Sequence, residues 1–258
     1  HYDCFVVGES PMTGADDALS FTEGQDKELD MMISFDHMQA DCFMTDTIST
    51  PFNLKKMKSA FTRWQKKLYG RAWNALYLEN HDHPRISRYG NEKFRNESGK
   101  MLATMCYMQS GTPFIYQGQE IGMLNNHLDS IDKFKDVVTF NNQRLFKKFG
   151  FSDKKYLEIA NKTSRGNART PVQWDSSEYG GFSTAEPWFG VNPNYAEINV
   201  AQQEKDPDSI LNYYRKLLKV RKENPIIIYG DYEEHYHESN EIYCYERNFN
   251  GQKALIVC

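Results

Sequence analysis

Short apolar runs that end in polar or charged residues recur along the first half of the chain. Cys4–Glu9 (CFVVGE), Met31–His37 (MMISFDH), Ala75–Asp82 (ALYLENHD) and Phe114–Glu120 (FIYQGQE) each carry hydrophobicity into a polar end. Near-continuous runs of this length suit parallel strands buried on both faces, with polar residues appearing where each strand leaves the core at its C-terminal end. The segments between have helical spacing. Leu54, Met57, Phe61, Trp64 and Leu68 recur every three or four positions, which puts them on one face behind a capping Asn53. Lys100–Gln109 predicts a second helix. Asp206 as N-cap with Pro207 at the first helical position predicts a third, through Ile210, Tyr214, Leu217, Leu218 and Arg221, ending before Pro225. Strands then take over as IIIYG, EIYCYE and ALIVC, and Asn250–Gly251 between the last two is a strong hairpin signal. Alternating strands and helices followed by antiparallel strands predict an α/β chain: the C-terminal half of a (β/α)8 TIM barrel over residues 1–224, then the start of an antiparallel β-sandwich domain over 225–258.

The chain has 258 residues, 40% hydrophobic and 14% aromatic, enough to bury a substantial core. A net charge of −4 and a pI near 6.0 give no basic field to draw it onto nucleic acid. No apolar run approaches the roughly 20 residues a membrane helix needs. Nucleic acid and membrane are therefore set aside as partners. The five cysteines are odd in number and form no CxxC pair, which argues against a disulfide framework or zinc site and for a reducing cytoplasm. A start on His1 and an end at Cys258 inside an apolar run read as a piece cut from a longer protein.

Barrel folds place their chemistry at the C-terminal ends of the strands, so Glu9, His81 and Asp82 would line one pocket although far apart in sequence. Taken singly, such residues are usually capping or salt-bridged groups. His235 and His237 in EHYHES alternate like metal ligands but read as a solvated strand face. Trp174, Trp188 and Phe189 suit either sugar stacking or loop packing. The basic stretch from Arg144 to Lys155 reads as a solvated face, and Glu120 as a structural hydrogen-bonding residue.

Five ordered motifs, FVVGES, WNALYLENHDHPRISRYG, SGTPFIYQGQEIGM, SRGNARTPVQWD and PWFGVNPNYAEINV, resemble the α-amylase family (glycoside hydrolase family 13), in its oligo-1,6-glucosidase and α-glucosidase branch. The resemblance runs from the fifth barrel strand to the start of the C-terminal β-domain. It implies hydrolysis of terminal α-linked glucose in small oligosaccharides with retention. It makes Glu9 the general acid/base, Asp82 the carboxylate that stabilises the transition state, and His81 a hydrogen-bonding partner of the sugar hydroxyls. Arg169 becomes the arginine closing the pocket, and Arg85 is grouped with the substrate-binding residues. The chemistry fits. An oxocarbenium-like transition state needs one carboxyl to protonate the leaving oxygen and others to bear against positive charge. Glu9 must then be protonated at rest, and apolar Phe5–Val7 behind it with Asp82 nearby would favour that. No metal or cofactor enters the reaction.

The resemblance also implies a nucleophilic Asp on the preceding strand. Only Asp3 precedes Glu9, on the same strand, so the nucleophile is expected upstream of residue 1 and this chain alone is expected to be inactive. His83 and Gly166 depart from Gln and Asp common in relatives, at positions expected to border the aglycone side. The alternatives left open are a trehalose-6-phosphate hydrolase, a sucrose-isomerising relative, or a non-catalytic barrel that only binds.

Overall fold

The computed structural model describes residues 4–43 and 45–258, with backbone alone at 45–47; Asp3 lies outside the described residues. Four short strands build its parallel sheet: β1 (Val7–Glu9), β2 (Met31–Ile33), β5 (Trp73–Leu76) and β6 (Thr112–Pro113), in the order β1-β2-β5-β6. Register is strict at the edge, with Gly8 opposite Met32 and Glu9 opposite Ile33. A Cβ at Gly8 would lie 2.4 Å from Leu29 Cδ1, so any side chain there requires the end of Leu29 to move. Between β2 and β5 a small hairpin, β3 (Cys42–Phe43) and β4 (Thr45–Ser49), leads into α2 (Leu54–Leu68).

The helix α2 forms as its spacing predicts. Asn53 Oδ1 accepts the Lys56 amide at 3.0 Å, and Met57, Phe61, Trp64 and Leu68 are buried. Trp64 and Leu68 join Ala15, Ala18 and Leu19 of α1 (Ala15–Thr22) in one cluster over β2. The predicted helix at Lys100–Gln109 begins earlier, as α3 (Arg95–Tyr107). Two more helices, α4 (Val137–Lys148) and α5 (Asp153–Thr163), make a hairpin in the long segment after β6. Its basic tip is exposed at Arg144, Lys147 and Lys148.

Other elements also differ from the expected ones. The strands expected at Ala75–Asp82 and Phe114–Glu120 pair only over Trp73–Leu76 and Thr112–Pro113, although Tyr77, Leu78 and Glu79 stay buried beyond the pairing. After α6 (Val200–Lys205), the helix expected to start at Asp206 starts later, as α7 (Ile210–Glu223), capped by Ser209, whose Oγ accepts the Asn212 amide at 3.2 Å. Asp206 is committed to its own turn, accepting the Asp208 amide at 2.9 Å. IIIYG is a helix rather than a strand: α8 (Pro225–Tyr229) carries Pro225 in its first turn and buries Ile226 and Ile227. Proline preset for helix entry outweighs the β-branched run.

The chain closes in an antiparallel sheet, β7 (Glu233–His235), β8 (Cys244–Phe249) and β9 (Gln252–Val257). Asn250 (φ 50°) and Gly251 (φ 79°) turn β8 into β9 in the left-handed conformation that a two-residue hairpin needs. This sheet shares the main core: Tyr232, Tyr243, Tyr245 and Ile256 sit with Met57, Phe61, Leu102 and Met105. Lys58 on α2 is fully buried, and its Nζ donates to the carbonyls of Tyr236 (2.8 Å), Ser239 (2.9 Å) and Ile242 (3.2 Å) in the turn after β7. Removing the ammonium strands those carbonyls, so Lys58→Ala is expected to cost about 2–4 kcal/mol of stability, read from urea denaturation midpoints. A loss below about 1 kcal/mol means that water takes over the cage.

Among the described residues no helix is long and apolar enough to cross a membrane.

Candidate active site

The C-terminal ends of the parallel strands open on a cleft of about 280 Å³, lined by Glu9, Ile33, Tyr77, Glu79, Asn80, His81, Phe114, Ile115 and Tyr116. A larger cavity, about 430 Å³, lies at the other end of the sheet, beside Trp73, Asn74 and Ser110. Barrel folds do not place chemistry at that end, and its charged residues are tied up in Lys27–Asp30 (2.9 Å) and Arg71–Glu23 (2.7 Å) ion pairs. The smaller cleft is the candidate site.

Glu9 reaches it as the last residue of β1 and is exposed. Of the apolar residues expected behind it, Phe5 and Val6 precede β1 and are 61% and 43% exposed, and Val7 is half-buried. His81 and Asp82 arrive from β5 through a buried extension, Tyr77 to Glu79, and then a turn in which Asn80 Oδ1 accepts the Asp82 amide at 2.9 Å. That Asx turn brings His81 out to the cleft, with its Nε2 3.4 Å from Asp82 Oδ2.

Asp82 sits at the centre of a charged group. Its Oδ1 accepts from Arg169 Nη2 at 2.8 Å and from Arg165 Nη1 at 2.9 Å. Arg169 also donates from Nε to the His81 carbonyl at 2.8 Å, so its fork braces the whole turn. Arg165 was not singled out from the sequence, although it stands in the same SRGNARTP motif, four residues before Arg169. Charge-assisted bonds on one oxygen hold the carboxylate in place and leave Oδ2 toward His81.

Arg85 requires correction. It does not reach the cleft: it is 0% exposed and pairs beneath the site with Glu79, Nη1 to Oε2 at 3.0 Å, while also donating to the Gln117 carbonyl at 2.7 Å. Glu79 Oε1 accepts the Ile86 amide at 2.7 Å. Burial pushes the Glu79 carboxyl above its ordinary value against the opposing pull of Arg85. The pair fixes the exit of β5 from below, and the Arg85 guanidinium lies 5.5 Å from the ring centre of Tyr116 in the cleft wall. Arg85 therefore supports the site as scaffold.

His83 and Gly166, expected to border the aglycone side, are both buried. The His83 ring lies 5.7 Å from Phe35. Nearby His37 is pushed down to about 3 by burial, which keeps it neutral. Glu120 is half-buried, and its Oε2 takes no hydrogen bond among the described residues, unlike the bonding role expected. Trp174, Trp188 and Phe189 are absent from the cleft lining; Phe189 is buried against Trp188, with ring centres 4.7 Å apart. The aromatic wall is made by Tyr77, Phe114 and Tyr116 instead. His235 and His237 do not share a strand face, because Tyr236 (φ 55°) ends β7 and His237 lies in the turn, 3.2 Å from Glu234.

Comparison with known proteins places this arrangement. The family described as alpha amylase, catalytic domain, matches residues 1–230. The chain is 43% identical over 261 residues to an oligo-1,6-glucosidase of Halalkalibacterium halodurans, covering 100% of this chain and 46% of that protein. It is 40% identical to a trehalose-6-phosphate hydrolase of Bacillus subtilis, covering 100% of this chain and 46% of that protein. Among solved structures, a trehalose-6-phosphate hydrolase of Bacillus licheniformis superposes with a TM-score of 0.94 at 42% identity, over 99% of this chain and 47% of that one. An isomaltulose synthase of Erwinia rhapontici does so with a TM-score of 0.94 at 34% identity, over 100% and 47%. The chain thus spans about half the length of the curated relatives it matches.

Proposed function

We propose, on the premise that this chain belongs to the α-amylase family of catalytic domains, that it supplies the acid/base half of a retaining α-glucosidase acting on terminal α-linked glucose in small isomalto- and malto-oligosaccharides. The observation that carries the reading is that Glu9 and His81 line one cleft, with Asp82 fixed beside His81. In this reading Glu9 protonates the leaving oxygen and then deprotonates the incoming water. Asp82 bears against the developing charge on the sugar ring, while His81 and Arg169 hold its hydroxyls. The nucleophile comes from a segment outside residues 1–258, about 5–5.5 Å from Glu9 in the assembled site, and the chain by itself is inactive.

We further divide the chain into a barrel part, 1–224, and the start of a β-domain, 225–258. Its five free thiols support a place in the reducing cytoplasm.

The test uses the complete enzyme. Isomaltose and maltose are expected to be cleaved faster than trehalose 6-phosphate, with the α-anomer as first product by NMR. Asp82→Asn is expected to slow activated and unactivated glucosides alike by about 10²–10³-fold, since charge stabilisation is needed whatever the leaving group. A β-anomer formed first rules out retention. Preference for the phosphorylated sugar rules out the substrate assignment.

A further inference from the structure

We infer that Arg165 is a positioning residue for the Asp82 carboxylate, tying it to the α4–α5 hairpin through Asp136. The inference rests on the role proposed for Asp82. Arg165 spans two carboxylates, with Nη1 2.9 Å from Asp82 Oδ1 and Nε 3.0 Å from Asp136 Oδ1. Asp136 is an anchor. It is 4% exposed and caps α4, with Oδ2 accepting both the amide and the hydroxyl of Thr139 at 3.0 Å. The backbone before Arg165 is fixed to the same point, because Ser164 Oγ lies 2.8 Å from Thr139 Oγ1 and accepts the Gly166 amide at 3.1 Å.

The two arginines on Asp82 divide the work. Arg169 braces the turn from its own backbone side, through the His81 carbonyl. Arg165 reaches Asp82 from behind. It is absent from the cleft lining and borders a separate cavity of about 190 Å³, together with Asp82, Asp136, Asn142 and Tyr156. Its two ion-pair partners are Asp82 and Asp136, so its influence on turnover passes through Asp82. A planar fork between two carboxylates sets both the distance and the plane of the second one, which a point charge does not. Misplacing a reacting group by about 1 Å costs on the order of 10²-fold.

The experiment compares Arg165→Ala, Arg165→Lys and Asp82→Asn in the complete enzyme. Arg165→Ala is expected to lower kcat about 10- to 100-fold with KM changed less than about threefold, equally for activated and unactivated glucosides. Added guanidinium ion, which the cavity beside Asp82 has room to admit, is expected to restore part of that kcat. Arg165→Lys keeps the charge and the fold and serves if the alanine variant does not fold; it is expected to lose kcat because one ammonium cannot hold both carboxylates in the same plane. In an Asp82→Asn background, Arg165→Ala is expected to add nothing further. An unchanged kcat, a change in KM alone, a folded alanine variant that guanidinium does not rescue, or losses that multiply with Asp82→Asn each overturn the inference. Failure of the underlying reading looks different: Asp82→Asn itself would leave turnover intact.

Discussion

Replacing Glu9 by Gln in the complete enzyme is expected to lower turnover of isomaltose and maltose by about 10²–10⁴-fold, while an activated aryl glucoside loses far less in its first step. The asymmetry follows from what the residue supplies. A sugar leaving group departs with its oxygen protonated, and glutamine has no proton to give. A nitrophenolate needs almost none, so bond breaking to it survives, and the later attack of water becomes limiting because no base remains. A small nucleophile such as azide, which needs no base, is then expected to restore turnover with the aryl substrate. Glu9 is placed for the double role at the C-terminal end of β1, on the lining of the cleft. Equal losses for good and poor leaving groups would remove Glu9 from the acid/base role.

Arg85→Met is expected to destabilise the protein by about 3–5 kcal/mol, because it leaves Glu79 buried without its counter-charge. Pairing it with Glu79→Leu is expected to recover part of that loss, since the double change leaves no uncompensated charge in the interior. Recovery is partial. The Gln117 carbonyl and the Ile86 amide lose the partners that Arg85 and Glu79 provide. Urea denaturation of the two single variants and the double variant gives the coupling directly. A single-variant loss under about 1 kcal/mol would mean that the pair is not sealed from water.

Both residues lie within one motif, and their contrast shows what the sequence makes legible. Apolar periodicity located α2 and its cap because helix spacing states which side is buried. The presence of parallel strands was legible from runs that are apolar throughout. Their lengths were not, because such a run reports burial rather than pairing: Tyr77 and Leu78 are as buried as Leu76 but no longer in the sheet. Direction was the harder matter. In NHDHPR nothing local distinguishes Asp82, partly exposed beside the cleft, from Arg85, which turns inward. That outcome is decided by Glu79, a buried carboxylate requiring a cation from the next few residues. Arg165 was missed for the same reason, since its second partner, Asp136, caps a helix that no strand-end pattern marks.

The shared core beneath the C-terminal sheet has a consequence for how the protein comes apart. Tyr232, Tyr243 and Tyr245 pack among Met57, Phe61 and Leu102, and Lys58 is held by carbonyls of the sheet's own turn and by the buried Glu234 carboxylate of β7, 3.8 Å away. Neither side of that contact keeps a finished interior without the other. The division near residue 225 is therefore one of topology and not of cooperativity: the last 34 residues form part of the same unfolding unit as α2 and α3, and a protease cut at that junction would leave two pieces that stay together until both melt.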